Sequence, residues 1–264
     1  MPDSSAAEQA RLDPDTAEPA IRPAPAPASL ARFLALDDFE PVARRRLPRM
    51  IYGYVAGAVE TGAAYANALA GYGDYALIPR TLQDVSRRRQ DCELFGQRYA
   101  APFGVPPLGG SAMVAYRGDL ALADAAQAMG VPMILSAASL MPADATRARE
   151  TGCDGIIVSS HGGRQLDHAI APIRVLPEMV AAAGPMTVMI DGGIRRGTDV
   201  LKALALGAKF VFVGRPFLYA AHVGGAPAVL HAMRLLSSEI HRDMALMGLR
   251  SLAELGPDAV RRAA

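Results

Sequence analysis

Cysteine is scarce: Cys92 and Cys153 are the two in 264 residues, and they form no CxxC or other metal-like spacing. That argues against a disulfide-stapled secreted scaffold and against a thiolate metal site, and it makes a reduced, cytoplasmic setting the expectation. An excess of one charge is lacking too. A formal net charge of +1 gives no electrostatic reason to expect nucleic acid or an anionic membrane as partner. Long apolar runs are missing, since Lys202 and Lys209 interrupt the best candidate, and no membrane span is expected. No lysine precedes Lys202. Residues 1–29 contain no basic start followed by an apolar stretch, so they read as a disordered Ala- and Pro-rich tail rather than a secretory signal. Their acidic residues argue against a mitochondrial address.

What is present is the profile of a soluble globular chain, 51% apolar and 20% charged, long enough for one large core or two small ones. From Leu30 the pattern turns helical. Leu34, Phe39, Val42 and Leu47 outline a short amphipathic segment, and Pro48 opens a second helix through Met50, Ile51, Tyr54 and Val55. Strand and helix patterns then alternate. Strands are expected at 103–108, 131–136, 155–160, 186–190 and 209–213, with helices at 118–129, 143–151, 175–183 and 198–206 between them. Such alternation means parallel βαβ units, an α/β fold. A last helix, 228–247, carries Val229, Met233, Leu236, Ile240, Met244 and Met247 on one face, a core stripe without a catalytic role.

The chain is organised around Gly155-Ile-Ile-Val-Ser-Ser-His161-Gly-Gly-Arg164-Gln-Leu-Asp167. Its first half is a buried strand, and its second half sets an imidazole and a guanidinium three residues apart where that strand ends. Ligands bind at such carboxyl ends in parallel α/β folds. The plain alternative is a satisfied histidine and a surface arginine in a Gly-rich turn. Two glycine-rich elements follow the next two strands: Asp191, Gly192, Gly193, Ile194 and Arg195, then Gly214 and Arg215. Glycines let backbone approach a ligand, free N–H groups at a helix start attract phosphate, and the arginines add charge-assisted bonds.

VSSHGGRQLD closely resembles the active-site segment of the FMN-dependent α-hydroxy-acid dehydrogenases and oxidases, the family of glycolate oxidase, lactate oxidase and mandelate dehydrogenase. RLPRMIYGYVAGA resembles that family's amino-terminal helical cap, YALIPRTLQDVS its link from cap to barrel, and DGGIRRGTDVLKALALGAKFVFVGRP its FMN-phosphate grip. The resemblance implies a (β/α)8 TIM barrel with FMN across the strand ends, and a division into a cap and link at 30–100, barrel at 101–256 and a C-terminal tail at 257–264. It implies that His161 accepts a proton from a small L-2-hydroxy acid, while Arg164 and Tyr54 bind that substrate's carboxylate. It implies flavin contacts from Pro107, Leu108, Gly109, Ser136, Ser159, Asp191, Gly192, Gly193, Ile194, Arg195, Gly214 and Arg215, and no metal. Full-length members form homo-oligomers, so one is a possibility here.

The chain departs from the pattern in two places. Leu108 stands where threonine is usual. Between Ser139 and Met141 the family's third, fourth and fifth strands are absent, leaving an incomplete barrel of strands 1, 2, 6, 7 and 8. With them go the Asp that orients the imidazole and the Lys that balances reduced flavin. Five strands cannot close a barrel set for eight, so open edges and open apolar inner faces are expected. Two further readings stay open: a non-catalytic, internally deleted paralogue that binds FMN or phosphate or pairs with a full-length relative, and a different FMN- or phosphate-binding barrel of the type 2 isopentenyl diphosphate isomerase or IMP dehydrogenase kind.

Overall fold

The structure is a computed structural model, describing residues 27–134 and 154–263. Most of the expected tail, the expected helix at 143–151, Ser136 and Cys153 lie outside the described residues. Of the expected tail, Ala28–Leu30 forms a 3-10 turn whose Leu30 is buried.

Three helices open the chain: α1 (Phe39–Arg46), α2 (Arg49–Ala56) and α3 (Ala63–Ala70). Phe33 stacks on Phe39 with ring centroids 4.4 Å apart, and with Leu36 and Ala43 they are buried. The sequence pattern gave no sign of α3. Its AAYANALA has high helix propensity but no apolar stripe, and its capping group comes from far along the chain. The Asp167 carboxylate accepts from the Thr61 and Ala64 backbone N–H groups, each at 2.9 Å, and from the Thr61 hydroxyl. These bonds hold the Asp167 carboxyl well below the usual carboxylate range, the Thr61 hydroxyl first among them.

After β1 (Tyr75–Leu77), a hairpin of β2 (Cys92–Leu94) and β3 (Gln97–Tyr99) precedes β4 (Phe103–Gly104). Helices α4 (Ser111–Val114) and α5 (Gly118–Met129) follow. Beyond residue 154 come β5 (Gly155–Val158), α6 (Pro172–Ala183), β6 (Thr187–Asp191), α7 (Gly197–Ala205) and β7 (Phe210–Phe212). A long helix α8 (Arg215–Leu246) and β8 (Val260–Arg262) complete the order. Helix α8 starts well before the expected residue 228, and the chain breaks within it at Gly224 and Gly225 (φ −165° and 60°), ahead of Pro227. The residues expected as a C-terminal tail are tied down, because β8 pairs antiparallel with β1.

Strands β4, β7, β6 and β5 form one parallel sheet in that spatial order. A parallel bridge from Val105 to Met133 continues it past β4. Alternation along the strands separates two faces. Ile156, Val158, Val188, Ile190 and Val211 share a core with α5 to α8. Ile157, Met189, Phe210 and Phe212 face the other way. Phe210 and Phe212 are fully buried there, against Leu94, Cys92 and Tyr99 of the β2–β3 hairpin. The expectation of an open apolar inner face is therefore overturned at these positions: the hairpin fills it, with Tyr99 edge-on to Phe210 at 5.9 Å.

Candidate active site

At the carboxyl end of β5 the chain turns through a 3-10 segment, His161–Gly163, whose residues all have positive φ (49°, 65° and 72°). For His161 that left-handed backbone is unfavourable, and it is held by a bond from the His161 N–H to the Ser159 hydroxyl oxygen at 2.9 Å. Gly163 is required for close approach: a Cβ there would lie 2.7 Å from the Tyr65 nitrogen of α3. The sequence HGG thus lets the cap settle directly onto the turn.

A cavity lies at these strand ends beneath the cap. Its wall holds Tyr54, Pro107, Leu108, Gly109, His161, Arg164, Asp191, Gly192, Gly193, Ile194, Arg195, Gly214 and Arg215. Strand topology brings together three loops far apart in sequence, those after β5, β6 and β7, because these strands are sheet neighbours. Ser136 lies outside the described residues. Ser159 sits just behind the wall, hydrogen-bonded to the Asp191 side chain. Sequence reasoning missed Tyr65 and Ala68, which α3 adds to the wall.

The arginines are held by the cap. Arg164 donates through Nη1 to the carbonyls of Tyr54 and Val55, and its guanidinium lies 4.5 Å from the Tyr54 ring centroid. Arg215 donates to the carbonyls of Val55 (2.9 Å), Gly57 (3.0 Å) and Gly162 (2.7 Å) and stacks on Tyr65 at 4.2 Å. Arg195 donates to the Tyr65 hydroxyl at 3.0 Å and pairs with Asp37 at 3.2 Å. Burial lowers the Arg215 pKa from its ordinary value, with Arg195 and Arg164 nearby as lesser causes.

At the first of the two glycine-rich elements the N–H groups have acceptors within the chain. The N–H groups opening α7 are not free for an anion: those of Arg195 and Arg196 go to the Asp199 carboxylate, both at 3.0 Å, and that of Gly197 goes to Glu239 at 2.8 Å. The acceptors available to neutralise a helix start are internal here. The loop around Gly192 and Gly193, with φ of 95° and 83°, and the side chains of Arg195 and Arg215 line the cavity beside them.

Asp191 Oδ1, on a residue of the cavity wall, is buried without a hydrogen-bond partner, as is Ser160 Oγ beside Gly192. Burial pushes the Asp191 carboxyl up to about 6, against opposing effects of the Ser159 hydrogen bond, His161 and Arg215. A polyhydroxylated phosphate ester fits this set: hydroxyl donors would satisfy the Asp191 oxygen, and the arginines would meet the phosphate. The residues present are therefore compatible with FMN. Beside them His161 offers a proton acceptor and Arg164 a carboxylate fork. Leu108 keeps the wall near Gly214 apolar, its Cδ2 lying 3.3 Å from where a Cβ on Gly214 would stand.

A sequence profile described as FMN-dependent dehydrogenase matches residues 43–143 and 140–262, two stretches that meet beside the expected deletion. The chain is 53% identical to an L-lactate oxidase of Nostoc sp. over 113 residues, 42% of this chain and 31% of that protein. It is 48% identical to 2-hydroxyacid oxidase 2 of Homo sapiens over 132 residues, 50% of this chain and 37% of that protein. These matches span about a third of each relative's length. Among solved structures, a soluble mutant of the membrane-associated (S)-mandelate dehydrogenase from Pseudomonas putida superposes with a TM-score of 0.83 at 26% identity, covering 88% of this chain and 100% of that one.

Proposed function

We propose, from the premise that this chain belongs to the family of FMN-dependent dehydrogenases, that it binds FMN at the strand ends and oxidises a small L-2-hydroxy acid to the 2-oxo acid. The observation that carries this reading is the meeting of His161 and Arg164 with Asp191, Gly192, Arg195 and Gly214 around a single cavity. The sheet order, with the Met133 bridge beside β4, then β7, β6 and β5, supports reading the fold as an arc of the family's barrel with strands 3 to 5 removed.

In this mechanism Arg164 takes the substrate carboxylate. Both of its bonds to the cap use Nη1, which leaves the Nε–Nη2 edge for a bidentate fork. The Tyr54 hydroxyl adds a second contact to the same carboxylate. Anchoring at two points fixes the carbinol carbon and its hydroxyl beside the imidazole. His161 then accepts the hydroxyl proton as general base. FMN, when bound, would supply a two-electron acceptor, and the Asp191 carboxylate, the glycine loops and the cations of Arg195 and Arg215 would hold it. Leu108 and Phe212 line the wall and exclude water from the reacting end.

The second reading, a paralogue that binds flavin without turnover, is favoured by one observation. The family's match passes from its first stretch to its second within residues 140–143, so the imidazole-orienting Asp and flavin-balancing Lys of the family have no counterpart between them. Anaerobic titration of the FMN-loaded chain with lactate, glycolate and mandelate separates the two. Bleaching of protein-bound flavin supports the oxidase; bound flavin that no 2-hydroxy acid bleaches supports the binder. A chain that retains no flavin refutes both.

A further inference from the structure

Resting on the assignment of His161 as the base, we propose that Asp191 is a positioning residue for His161 and acts through the Ser159 hydroxyl. The resemblance puts the family's own orienting carboxylate in the segment missing between Ser139 and Met141, and it gives Asp191 only a flavin contact.

The sheet register sets the arrangement. β5 and β6 are parallel neighbours with Val158 opposite Ile190, so one step on, Ser159 and Asp191 stand side by side. Alternation turns both toward the face of Ile157 and Met189, the face that opens into the cavity. The hydroxyl's bonding has a fixed sense. Ser159 Oγ accepts from the His161 N–H at 2.9 Å, so its own proton is the one donated to the Asp191 carboxylate. A carboxylate drawing on that proton makes the oxygen a better acceptor for the His161 N–H. The charge of Asp191 is thereby coupled to the backbone of a residue held at φ 49°, where a histidine does not rest unaided.

The two carboxylate oxygens divide the work. One is taken by Ser159, while Oδ1 is sealed from solvent without a partner and remains for a ligand hydroxyl. The groups facing Asp191 are His161 and Ser159 from the loop after β5, Arg215 from the start of α8, and Tyr72, whose hydroxyl donates to the Gly192 carbonyl at 3.2 Å. Of these, burial holds Tyr72 in its protonated form far above neutrality, and Arg215 stays charged, so the protonation change carried to the residue-161 backbone is that of the Asp191 carboxyl, raised by burial to about 6.

The test follows the residue-161 backbone amide by ¹⁵N–¹H NMR across pH 4 to 8 on the full chain. The amide resonance should titrate with a midpoint near 6, following Asp191. His161→Gln removes the imidazole and should leave that titration in place. In the His161→Gln background, Asp191→Asn and Ser159→Ala should each abolish it, and Ser159→Thr, which keeps the hydroxyl, should preserve it. A residue that only supports the fold would shift melting without creating this pH signature. Titration that vanishes in His161→Gln, or that in that background survives Asp191→Asn or Ser159→Ala, overturns the proposal. Failure of flavin bleaching with the amide titration intact would remove the oxidase reading and leave this coupling standing.

Discussion

Gly193→Ala should unseat the cap. Gly193 has φ 83°, and a Cβ there would stand 2.0 Å from the Ala68 carbonyl oxygen, 2.7 Å from its carbonyl carbon and 2.9 Å from Tyr72 Cε2. Ordinary carbon contacts lie at about 3.5–4.0 Å, so the end of α3 must retreat by more than about 1 Å to admit one methyl group. Holding alanine in a left-handed conformation costs about 1–2 kcal/mol, and overfilling a packed contact adds about 1–3 kcal/mol. Together these reach roughly 2–5 kcal/mol, a large part of the 5–15 kcal/mol that stabilises a typical domain. With a urea m-value of about 2–3 kcal/mol/M, the unfolding midpoint should fall by about 1–2 M. Gly109→Ala is the matched control. Gly109 lines the same cavity, but a Cβ there meets nothing within 4 Å, so its stability should stay within about 0.5 kcal/mol of wild type. Equal midpoints for the two variants, read by far-ultraviolet circular dichroism, would refute the claim that α3 rests on Gly193.

His161→Gln should retain bound flavin while the rate of its anaerobic reduction by the best 2-hydroxy acid falls by roughly 10²–10⁴; an unchanged rate in stopped flow removes His161 as base. Asp191→Asn should flatten the pH dependence of stability. The folded carboxyl is raised from 3.8 to about 6, so the folded state binds the proton more tightly. That contribution is fully present below 3.8 and lost as pH rises through 6, a change of about 3 kcal/mol at most. Relative to wild type, Asp191→Asn should therefore gain stability between pH 4 and pH 8, and urea midpoints that move in parallel would contradict this. Glu239→Ala strips the buried Gly197 N–H of its acceptor and Arg196 of a 2.7 Å partner, and should cost about 1–3 kcal/mol in denaturant titration. Phe212→Ala should cost about 3–5 kcal/mol in the same denaturant titration, and a loss below about 1 kcal/mol would refute packing of the β2–β3 hairpin on that face.

The strands after residue 154 are legible in the sequence because short apolar runs begin at or shortly after a glycine (Gly155, Gly184, Gly207), and their ends carry the glycine-rich motifs. The gathering of three motifs on one cavity was legible for the same reason, since those at 161–164, 191–195 and 214–215 follow β5, β6 and β7. The hairpin was not. Its two-residue turn is Phe95–Gly96, both at positive φ (49° and 73°), a mirror-image turn normally announced by Asn-Gly or Asp-Gly. Phenylalanine in that position sends no such signal. Helix α3 was hidden because its N-terminal acceptor, Asp167, lies 103 residues from Ala64. The start of α8 was obscured by Gly224 and Gly225, which interrupt the periodicity before the apolar stripe begins. The partners of Arg195 and Arg215 are tertiary, and no local pattern encodes them.

The last turn of α2 ends in an extended Gly57 (φ −64°, ψ 156°) rather than a left-handed glycine, and its closing carbonyls are taken by the guanidiniums of Arg164 and Arg215. The helix bearing Tyr54 is thus tethered by the same two side chains that the proposed function assigns to the substrate carboxylate and the flavin phosphate. Whatever draws those two cations inward pulls the same tether, so occupancy of the cavity and the seating of its roof become one mechanical event.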